Sequence, residues 1–502
     1  MRARGINAMK NYIYTVSLFL MLMGYTEVSA RDWYFVESGG VDIFSGPEAS
    51  VGTISNPLTA SQANLDQFFA FNYGGSRNPD PGDQVYFRAG TYTNSIFLAL
   101  ANSGAAGNPV TISSYTGENA VFDLGYTGTT VNNAASGIGI FANNYTVQNL
   151  EIKNSQGSGI TISSQGGGGN NINILDNKIN NITGTGIAIY GGPGNAPFAT
   201  VPTNILIQGN EVHDTVRMNS NHDTSGWNNA IGSGGNNVTI RQNSVYNNWG
   251  EGIIAGGSNN VVEENIVRDN FSANIYLDGA VNSTVQRNLT INSGNTNFYW
   301  TASTPTPGVL GPATGIALAD ENGGSSLQLN NNLITDNFVI GGKSGFYYGD
   351  FLQGGGFDNS RLINNTFYST DTDMNTVSGL IHFDLAGGHT HDNSLGTNNI
   401  FFLDGPGGTL VSVAGGTNGL SFSQNYWSPS NTGLLSGSGD MALTISNATT
   451  IRGYVNALTN SSSFSTLLNG GLGASTDPSI FGGARFNFLS GICLLYTSDA
   501  AD

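Results

Sequence analysis

The sequence predicts an all-β protein, a single-stranded right-handed parallel β-helix in which short strands stack turn upon turn. Three observations predict this solenoid. A motif with a central asparagine, apolar-x-x-Asn-x-apolar, recurs about ten times along the chain. A second motif of the type Gly-Ile-x-Ile recurs in step with it. The segments between them are short, rich in Gly, Asn, Asp and Ser, and lack helical periodicity.

The asparagine motif defines one ladder of equivalent positions, separated by 22 to 44 residues. Its members are Asn149, Asn177, Asn210, Asn243, Asn265, Asn288, Asn332, Asn365, Asn399 and Asn425. Strands this short cannot bury a face alone, so they must stack. We expect each amide to point inward, to tolerate a left-handed backbone at the bend, and to bond to the turns above and below. A β-sandwich or propeller would show hairpin turns and two-sided alternation instead.

The second motif adds another strand to each turn. Its copies begin at Gly159, Gly186, Gly252, Asn274, Gly315 and Gly345. In each copy apolar residues alternate with polar or small ones, which is typical of a strand with one buried face.

The composition excludes two classes of function. The chain has 502 residues, 16 of them Lys or Arg, and a net charge of −18. Nucleic-acid binding depends on clustered basic residues, so we expect no such partner. Beyond residue 30 no stretch is long and apolar enough to span a bilayer.

The first 30 residues read as a secretory signal peptide. Arg2, Arg4 and Lys10 precede an apolar run over 13–24, and Val-Ser-Ala at 28–30 is a small-residue cleavage site. We therefore expect a secreted protein, extracellular or at the cell surface.

The remaining chain is expected to form one domain over 31–492, and to be monomeric. Residues 31–125 would be the N-terminal cap and first turns, 126–430 the regular turns, and 431–492 less regular final turns. The last ten residues, 493–502, look like a translated sequencing adapter, so we expect the natural C-terminus to be missing.

The opening of the domain resembles the pectin-lyase-like superfamily of secreted right-handed β-helix proteins. The resemblance lies in the segments Trp33–Gly40, Pro81–Tyr92, Gly107–Ile112 and Tyr115–Asp123, and extends over about residues 33 to 490. It implies the β-helix fold. The superfamily includes polysaccharide lyases, glycoside hydrolases, epimerases and proteins of unknown role, so the resemblance specifies the reaction poorly.

Two long loops predict a groove. The loop 215–229 holds Arg217, His222, Asp223 and Trp227, and the loop 293–314 holds Phe298, Tyr299 and Trp300. Between them lie the shortest turns, at Gly252 and Asn274. We expect the loops to form two walls with a low floor between them, where binding groups concentrate.

We expect the floor and walls of this groove to hold the catalytic and sugar-binding residues. The predicted catalytic residues are Glu251, Asp278, Asp320, Arg217, His222 and Asp223. The predicted sugar-binding aromatics are Trp227, Trp249, Tyr276, Tyr299 and Trp300. Aromatic faces stack on pyranose rings, and carboxylates serve in acid/base catalysis or hold a cation such as Ca²⁺, for which Asp320, Glu321 and Asp350 are candidates. Alternatively, Asp320, Asp350 and Asp384 simply cap the same bend.

The histidines are weaker candidates. His213-Asp214 falls in the repeat strand, where we expect a solvated position and not a dyad. His382, His389 and His391 lie close in sequence but have no partner pattern at zinc-like spacing.

The reaction is left open between β-elimination and hydrolysis of a polysaccharide. β-Elimination needs a base, and a cation or an arginine beside the uronate, yet Lys153, Lys178 and Lys343 all lie outside the predicted groove. Arg217 could serve from the wall of the groove, and Arg268 and Arg287 lie on the neighbouring turns. Hydrolysis needs two carboxylates, and stacked turns about 4.8 Å apart would place Glu251, Asp278 and Asp320 suitably. The signatures of calcium-dependent pectate lyases and of polygalacturonases are not found. The competing reading is a non-catalytic adhesin or carbohydrate-binding β-helix.

Overall fold

A computed structural model describes residues 30–69, 77–93, 97–133, 135–191, 201–222, 228–302, 309–321, 328–351, 355–370, 379–386, 388–405, 408–431 and 433–459. In these ranges the chain is a parallel β-helix with three sheets of 14, 13 and 11 strands running along its axis. The predicted all-β solenoid is therefore confirmed. No helix in the described part is long and apolar enough to cross a membrane.

Successive turns of the coil add their strands to the same three sheets, so that strands far apart in the chain become neighbours. Sheet 1 consists, in stacking order, of β2 (Leu58–Thr59), β1 (Asp32–Val36), β3 (Gln84–Phe87), β6 (Val110–Ser114), β9 (Tyr145–Gln148), β12 (Ile172–Leu175), β15 (Thr203–Gln208), β18 (Asn236–Arg241), β21 (Val261–Glu263), β24 (Thr284–Gln286), β29 (Leu333–Thr335), β32 (Arg361–Ile363), β35 (Ser394–Thr397) and β38 (Leu420–Ser423). Sheet 2 consists of β4 (Gly90–Tyr92), β7 (Ala120–Asp123), β10 (Leu150–Lys153), β13 (Lys178–Asn180), β16 (Glu211–His213), β19 (Ser244–Asn248), β22 (Ile266–Asn270), β25 (Leu289–Ile291), β30 (Phe338–Ile340), β33 (Thr366–Ser369), β36 (Ile400–Leu403), β39 (Tyr426–Ser428) and β40 (Met441–Ala442). Sheet 3 consists of β37 (Thr409–Ala414), β34 (Gly379–Asp384), β31 (Phe346–Gly349), β28 (Thr314–Ala319), β23 (Ala273–Val281), β20 (Glu251–Ser258), β17 (Asn229–Ser233), β14 (Ile187–Tyr190), β11 (Ile160–Ser163), β8 (Ile138–Ile140) and β5 (Leu98–Leu100).

A few elements lie outside these sheets. The helices are α1 (Gln62–Phe69) and α2 (Ile445–Thr459), and short 3₁₀ turns lie at Glu48–Ser50, Gln165–Gly167, Arg217–Asn219 and Thr296–Phe298. A small antiparallel pair, β26 (Trp300–Ala302) and β27 (Val309–Gly311), lies within the second long loop.

The core is a continuous column of apolar side chains inside the coil. Equivalent residues of successive turns are in register, as Ile172 pairs with Ile205 and Ile205 with Val238. All three are buried. Because each strand places one face inward, the apolar positions of every turn stack on those of the next.

The asparagine ladder forms at the bend between sheets 1 and 2. The Oδ1 of each rung accepts from the backbone N–H and the side-chain amide of the rung before it, as at Asn265, which accepts from both nitrogens of Asn243 at 3.0 Å. The rungs are Asn177, Asn210, Asn243, Asn265, Asn288, Asn337, Asn365, Asn399 and Asn425. The prediction of an inward amide ladder is confirmed for most of the series.

Two members of the predicted ladder are misplaced. Leu150 occupies the position assigned to Asn149, and its N–H donates to Asn177 at 3.1 Å. Asn332 belongs to a different ladder, at the start of the sheet 1 strands, and Asn337 takes its predicted place. The repeat there contains two asparagines five residues apart, and both fit the sequence motif.

The left-handed backbone lies one residue earlier than expected. Positive φ occurs at the residue before each rung, for example 54° at Asp176, 57° at Gln242 and 57° at Glu264. The ladder asparagines are therefore retained for their amide hydrogen bonds, which satisfy buried backbone donors at every bend.

The N-terminal end of the core is closed by α1. Phe68 packs against Trp33 and Phe35, with ring centroids 4.8 and 5.4 Å apart, while Asn64 accepts from the N–H of Ile43 and donates to the carbonyl of Thr59. A solenoid needs such a cap because its first turn has no preceding neighbour.

Helix α2 covers the outward face of sheet 2, although only irregular turns were expected from the sequence there. Ala448, Ile451, Val455 and Leu458 are spaced to lie on one side of the helix. They belong to one apolar cluster with outward residues of β22, β25, β30, β33 and β36, including Ile266, Leu289, Phe338, Tyr368 and Ile400. Arg452 adds an ion pair with Asp404 at 2.6 Å.

Candidate functional site

The outward face of sheet 3 carries two parallel columns of side chains. The strand registers align Gly232, Ile254, Tyr276, Ala317, Tyr347 and His382 in the first column. They align Gly256, Asp278, Ala319, Gly349 and Asp384 in the second. The first column is apolar and aromatic, and the second is small and acidic.

Tyr276 lies at the centre of this face. Its neighbours Ile275 and Leu277 point into the core, so strand alternation turns Tyr276 outward, as predicted. Its pKa is raised well above the ordinary value, first because burial disfavours the phenolate and then because the carboxylates of Asp278, Glu321 and Glu251 lie nearby. Three carboxylates from three successive turns therefore converge on one phenol.

The Tyr276 hydroxyl is also unsatisfied. It makes no hydrogen bond of ordinary geometry to any described residue, although the Glu321 carboxylate lies beside it. A buried hydroxyl without a well-formed hydrogen bond costs free energy in the folded protein.

Two alanines, both buried, have the shortest side chains beside Tyr276, and we call the low stretch that they form between the two tyrosines the depression. Ala317 and Ala319 occupy the outward positions of β28, between Tyr276 and Asp278 on one turn and Tyr347 on the next. The pKa of the Tyr347 hydroxyl is also raised, by burial first and then by Asp384 and Glu321. Both tyrosines are therefore neutral at physiological pH, with a low floor between them.

One lysine and one histidine supply the basic groups near this face. The Tyr347 and His382 rings are in edge-to-face contact at 5.2 Å. Burial lowers the pKa of His382, Asp384 opposes that change, and Lys343 adds to it. Burial also lowers the pKa of Lys343 itself. Lys343, at the bend before β31, lies near enough to His382 to act on it electrostatically, and its exclusion from the groove between the two loops stays a prediction.

The two predicted walls meet instead of standing apart. Nδ1 of His222 lies 2.8 Å from the carbonyl oxygen of Tyr299, which joins the first loop to the second. Beneath this contact Trp249 packs against Phe298 with ring centroids 5.1 Å apart. At this corner the two loops are therefore in contact.

Arg217 points away from the carboxylates. Its guanidinium donates to the carbonyl oxygens of Tyr126, at 3.4 Å, and Thr127. These residues belong to the loop after β7, several turns earlier along the axis. The proposed role of Arg217 as a groove base is therefore not supported by its position.

Asp320 and Asp350 are buried bend residues. Oδ1 of Asp320 accepts from the N–H of Leu329 at 2.7 Å, and Oδ2 from the hydroxyl of Tyr348 at 3.2 Å. Asp350 accepts from the N–H of Ala386 at 2.8 Å. The predicted catalytic and metal-binding roles of Asp320 and the metal-binding role of Asp350 do not fit these positions, and the bend-capping alternative describes both.

Other predicted residues have mixed outcomes. Asp223 and Trp227 lie outside the described residues, and Trp300 is described only as part of β26. Glu251 is buried on the outward side of β20, and Glu321 is exposed. The roles of these residues stay predictions. Among the described residues no three acidic or histidine side chains are disposed to hold a metal ion, and a Ca²⁺ requirement stays a prediction.

The remaining histidines are structural. His213 is not simply solvated: its Nδ1 lies 2.7 Å from Asp214, and its ring stacks on Tyr246 at 4.9 Å. His389 Nδ1 lies 2.8 Å from Asp350. His391 is buried and accepts from the N–H of Phe357 through Nδ1 at 3.0 Å.

Tyr347, His382 and Asp384 were not predicted as members of the site. The signal was present for Tyr347, because aligning Gly345-Phe-Tyr-Tyr with Asn274-Ile-Tyr-Leu places Tyr347 on Tyr276. The same register extended by one strand gives His382 and Asp384.

Residues 198–367 match the family model described as a right-handed β-helix region, in agreement with the predicted handedness. The chain is 33% identical over 85 residues to the pectate lyase PEL9 of Emericella nidulans, a segment that is 16% of this chain and 18% of that enzyme.

Several solved structures are similar to this chain. Pectate lyase Pel9A shares 16% identity, with 82% of each chain covered and a TM-score of 0.48. An alginate lyase from Paenibacillus sp. FPU-7 shares 13% identity over 68% of this chain and 92% of its own, with a TM-score of 0.44. The lacto-N-biosidase of Eubacterium ramulus shares 14% identity over 88% of this chain and 72% of its own, with a TM-score of 0.45.

Proposed function

We propose that this protein is a secreted carbohydrate-active enzyme that hydrolyses a polysaccharide bound across the outward face of sheet 3. The observation that carries the proposal is the convergence of Glu251, Asp278 and Glu321 on the Tyr276 hydroxyl. Hydrolysis of a glycosidic bond needs one carboxyl to protonate the leaving oxygen and a second to act as base or nucleophile.

Glu251 and Asp278 are proposed as that pair because both act electrostatically on the Tyr276 hydroxyl. Glu251 lies on β20 and Asp278 on β23, and these strands are hydrogen-bonded neighbours. Glu321, from the next turn, would contact the sugar beside them.

The two tyrosines would bind the sugar rings. Tyr276 and Tyr347 project from the same column with Ala317 between them. Phenol rings offer an apolar surface to pyranose C–H groups, and their hydroxyls donate to sugar oxygens. A sugar lying over Ala317 would therefore meet an aromatic side chain on each side.

A second candidate reaction is β-elimination on a uronic-acid polymer. Lys343 favours it, because burial lowers its pKa and so increases the neutral amine that can act as a base. The similarity of an 85-residue segment to a pectate lyase also favours it.

A polymer screen distinguishes these reactions. The purified protein would be incubated with polygalacturonate, alginate, glycosaminoglycans and neutral glycans, with and without Ca²⁺. Products would be read both as reducing ends and as ultraviolet absorbance of unsaturated uronates. Reducing ends alone, lost in Glu251→Gln and Asp278→Asn but kept in the remote control Asp32→Asn, would support hydrolysis.

The same screen contains the contrary outcomes. Unsaturated product that disappears in Lys343→Met would replace hydrolysis by β-elimination. Binding without product from any polymer, in wild type and variants alike, would indicate a carbohydrate-binding protein and overturn the enzymatic proposal.

A further inference from the structure

Arg361 differs from every other arginine in the described part of the chain. Eight arginines there bond to carboxylates, side-chain amides or backbone carbonyls: Arg31, Arg77, Arg88, Arg217, Arg241, Arg268, Arg287 and Arg452. The exposed guanidinium of Arg361 has no such partner among the described residues. In a chain with 34 acidic residues and 16 basic ones, an arginine without an ion pair is notable because partners are abundant.

Arg361 lines a groove at the corner between sheets 3 and 1. The groove has a volume of about 650 Å³ and is lined by corner asparagines of successive turns, including Asn282, Asn331, Asn359 and Asn393. It lies apart from the depression on sheet 3, whose residues do not line it.

The corner asparagines hold one another in place. Asn331 Nδ2 donates to Asn282 Oδ1 at 2.8 Å, and Asn393 Nδ2 donates to Asn359 Oδ1 at 3.3 Å. Their φ angles lie between 46° and 55°, the left-handed region that asparagine tolerates. Each amide has two N–H groups and an oxygen with two lone pairs, so one of each remains for a ligand. The row is therefore a fixed array of donors and acceptors.

Apolar surface flanks the guanidinium. The register places Leu333 and Leu395 on either side of Arg361 along sheet 1. Both leucines are partly exposed, and Leu395 also lines the groove. The groove thus combines amides, a cation and aliphatic carbon, which match the hydroxyls, the anionic group and the C–H faces of an acidic sugar.

We propose that this corner is a separate binding site for an anionic polysaccharide, in which Arg361 pairs with the carboxylate or sulfate of a sugar unit and the asparagine amides bind its hydroxyls. The site does not depend on the proposed cleavage. It would hold a charged polymer on a protein whose net charge otherwise repels it.

Affinity measurements test the site. All proteins would carry Glu251→Gln so that no polymer is consumed, and Kd would be measured by calorimetry for polygalacturonate, a sulfated glycosaminoglycan, a neutral glucan and single-stranded DNA. The test variants are Arg361→Gln and Asn359→Gly, since glycine keeps the left-handed backbone. The matched control is Arg241→Gln, which removes the same charge from the same face of sheet 1.

The expected result is binding of an anionic saccharide that weakens about tenfold or more in Arg361→Gln, severalfold in Asn359→Gly and little in Arg241→Gln. The polygalacturonate and glycosaminoglycan arms decide between carboxylate and sulfate. Equal weakening in both arginine variants, DNA binding as tight as saccharide binding, or no binding of either acidic polymer would overturn the proposal. Thermal melting of each variant checks that the fold is intact.

Discussion

Tyr276 and Tyr347 occupy the same outward position on β23 and β31, two strands apart, and the intervening strand places only the short, buried side chain of Ala317 in the gap between them. The gap corresponds to two strand spacings, roughly 9.6 Å. Because every strand contributes to this column in strict register, the size of one side chain on β28 sets the depth of the depression.

Filling the gap should therefore weaken substrate binding. In Ala317→Leu we expect KM to rise about tenfold, because the added side chain occupies the place of a sugar ring. The control is Ala188→Leu, an alanine of the same column four strands away. Steady-state kinetics on the polymer identified by the screen measures the effect. A rise in KM of the same size in both variants would contradict it.

Removing the Tyr276 hydroxyl should lower the activity without lowering the stability of the protein. In Tyr276→Phe a buried hydroxyl with no hydrogen-bond partner among the described residues is lost, so we expect unchanged stability or a gain of up to about 1 kcal/mol. Turnover should fall about tenfold, because the proposed carboxylates Glu251, Asp278 and Glu321 all act electrostatically on this hydroxyl. Denaturant unfolding and kinetics are measured on the same preparation. A loss of stability without loss of turnover would assign the hydroxyl to the fold.

Replacing an inner asparagine of the ladder should lower the free energy of unfolding more than replacing the first asparagine of the ladder. In Asn265→Leu the backbone and side-chain N–H groups of Asn243 both lose their acceptor, at a cost of about 3 kcal/mol. In Asn177→Leu the turn before loses only the acceptor of Leu150 N–H, at about half that cost. Shifts of the urea midpoint test this order, and equal shifts would contradict it.

His391 should make stability depend on pH. Burial lowers its pKa to about 4 from 6.5, so between these values the unfolded chain binds a proton that the native protein does not. Stability is therefore complete above pH 6.5 and falls as the pH falls towards 4, by about 3 kcal/mol in total.

The variant His391→Asn isolates that contribution, since its Oδ1 can still accept from Phe357 N–H. We expect the stability advantage of wild type over the variant to shrink as the pH falls from 7 to 4, measured by denaturant unfolding at each pH. Buried carboxyls such as Asp320, whose pKa is raised by burial, change stability in the opposite direction but equally in both proteins. A pH-independent difference would show that His391 is not the titrating group.

The strands of the three sheets could be predicted from the sequence, but the side-chain directions at the bends between them could not. Repeats such as Ile174 to Asn177 and Ile207 to Asn210 identify strands because burial enforces their alternation. At a bend the alternation is interrupted: Asn274 and Ile275 are both fully buried, and only then does Tyr276 turn outward. One such irregularity reverses which of the following residues face the core and which face outward.

The same limit explains the errors within the site. Asp320 and Glu321 are adjacent, yet the first is buried and the second is exposed. The backbone turn between β28 and the following loop decides which of them faces solvent, and no periodicity describes that turn. Arg217 was misplaced because it is a long side chain on a connecting segment, and its direction depends on packing partners about 90 residues earlier in the sequence.

The late position of helix α2 in the chain affects how the protein folds during its synthesis. It follows in the chain every strand that it covers, from β22 to β36, so the apolar outer surface of those strands stays uncovered until residues 445–459 have been synthesised. A growing chain with such an exposed surface is prone to self-association. The turns can stack as they emerge, but the outer face of these strands is covered only after this helix has left the ribosome.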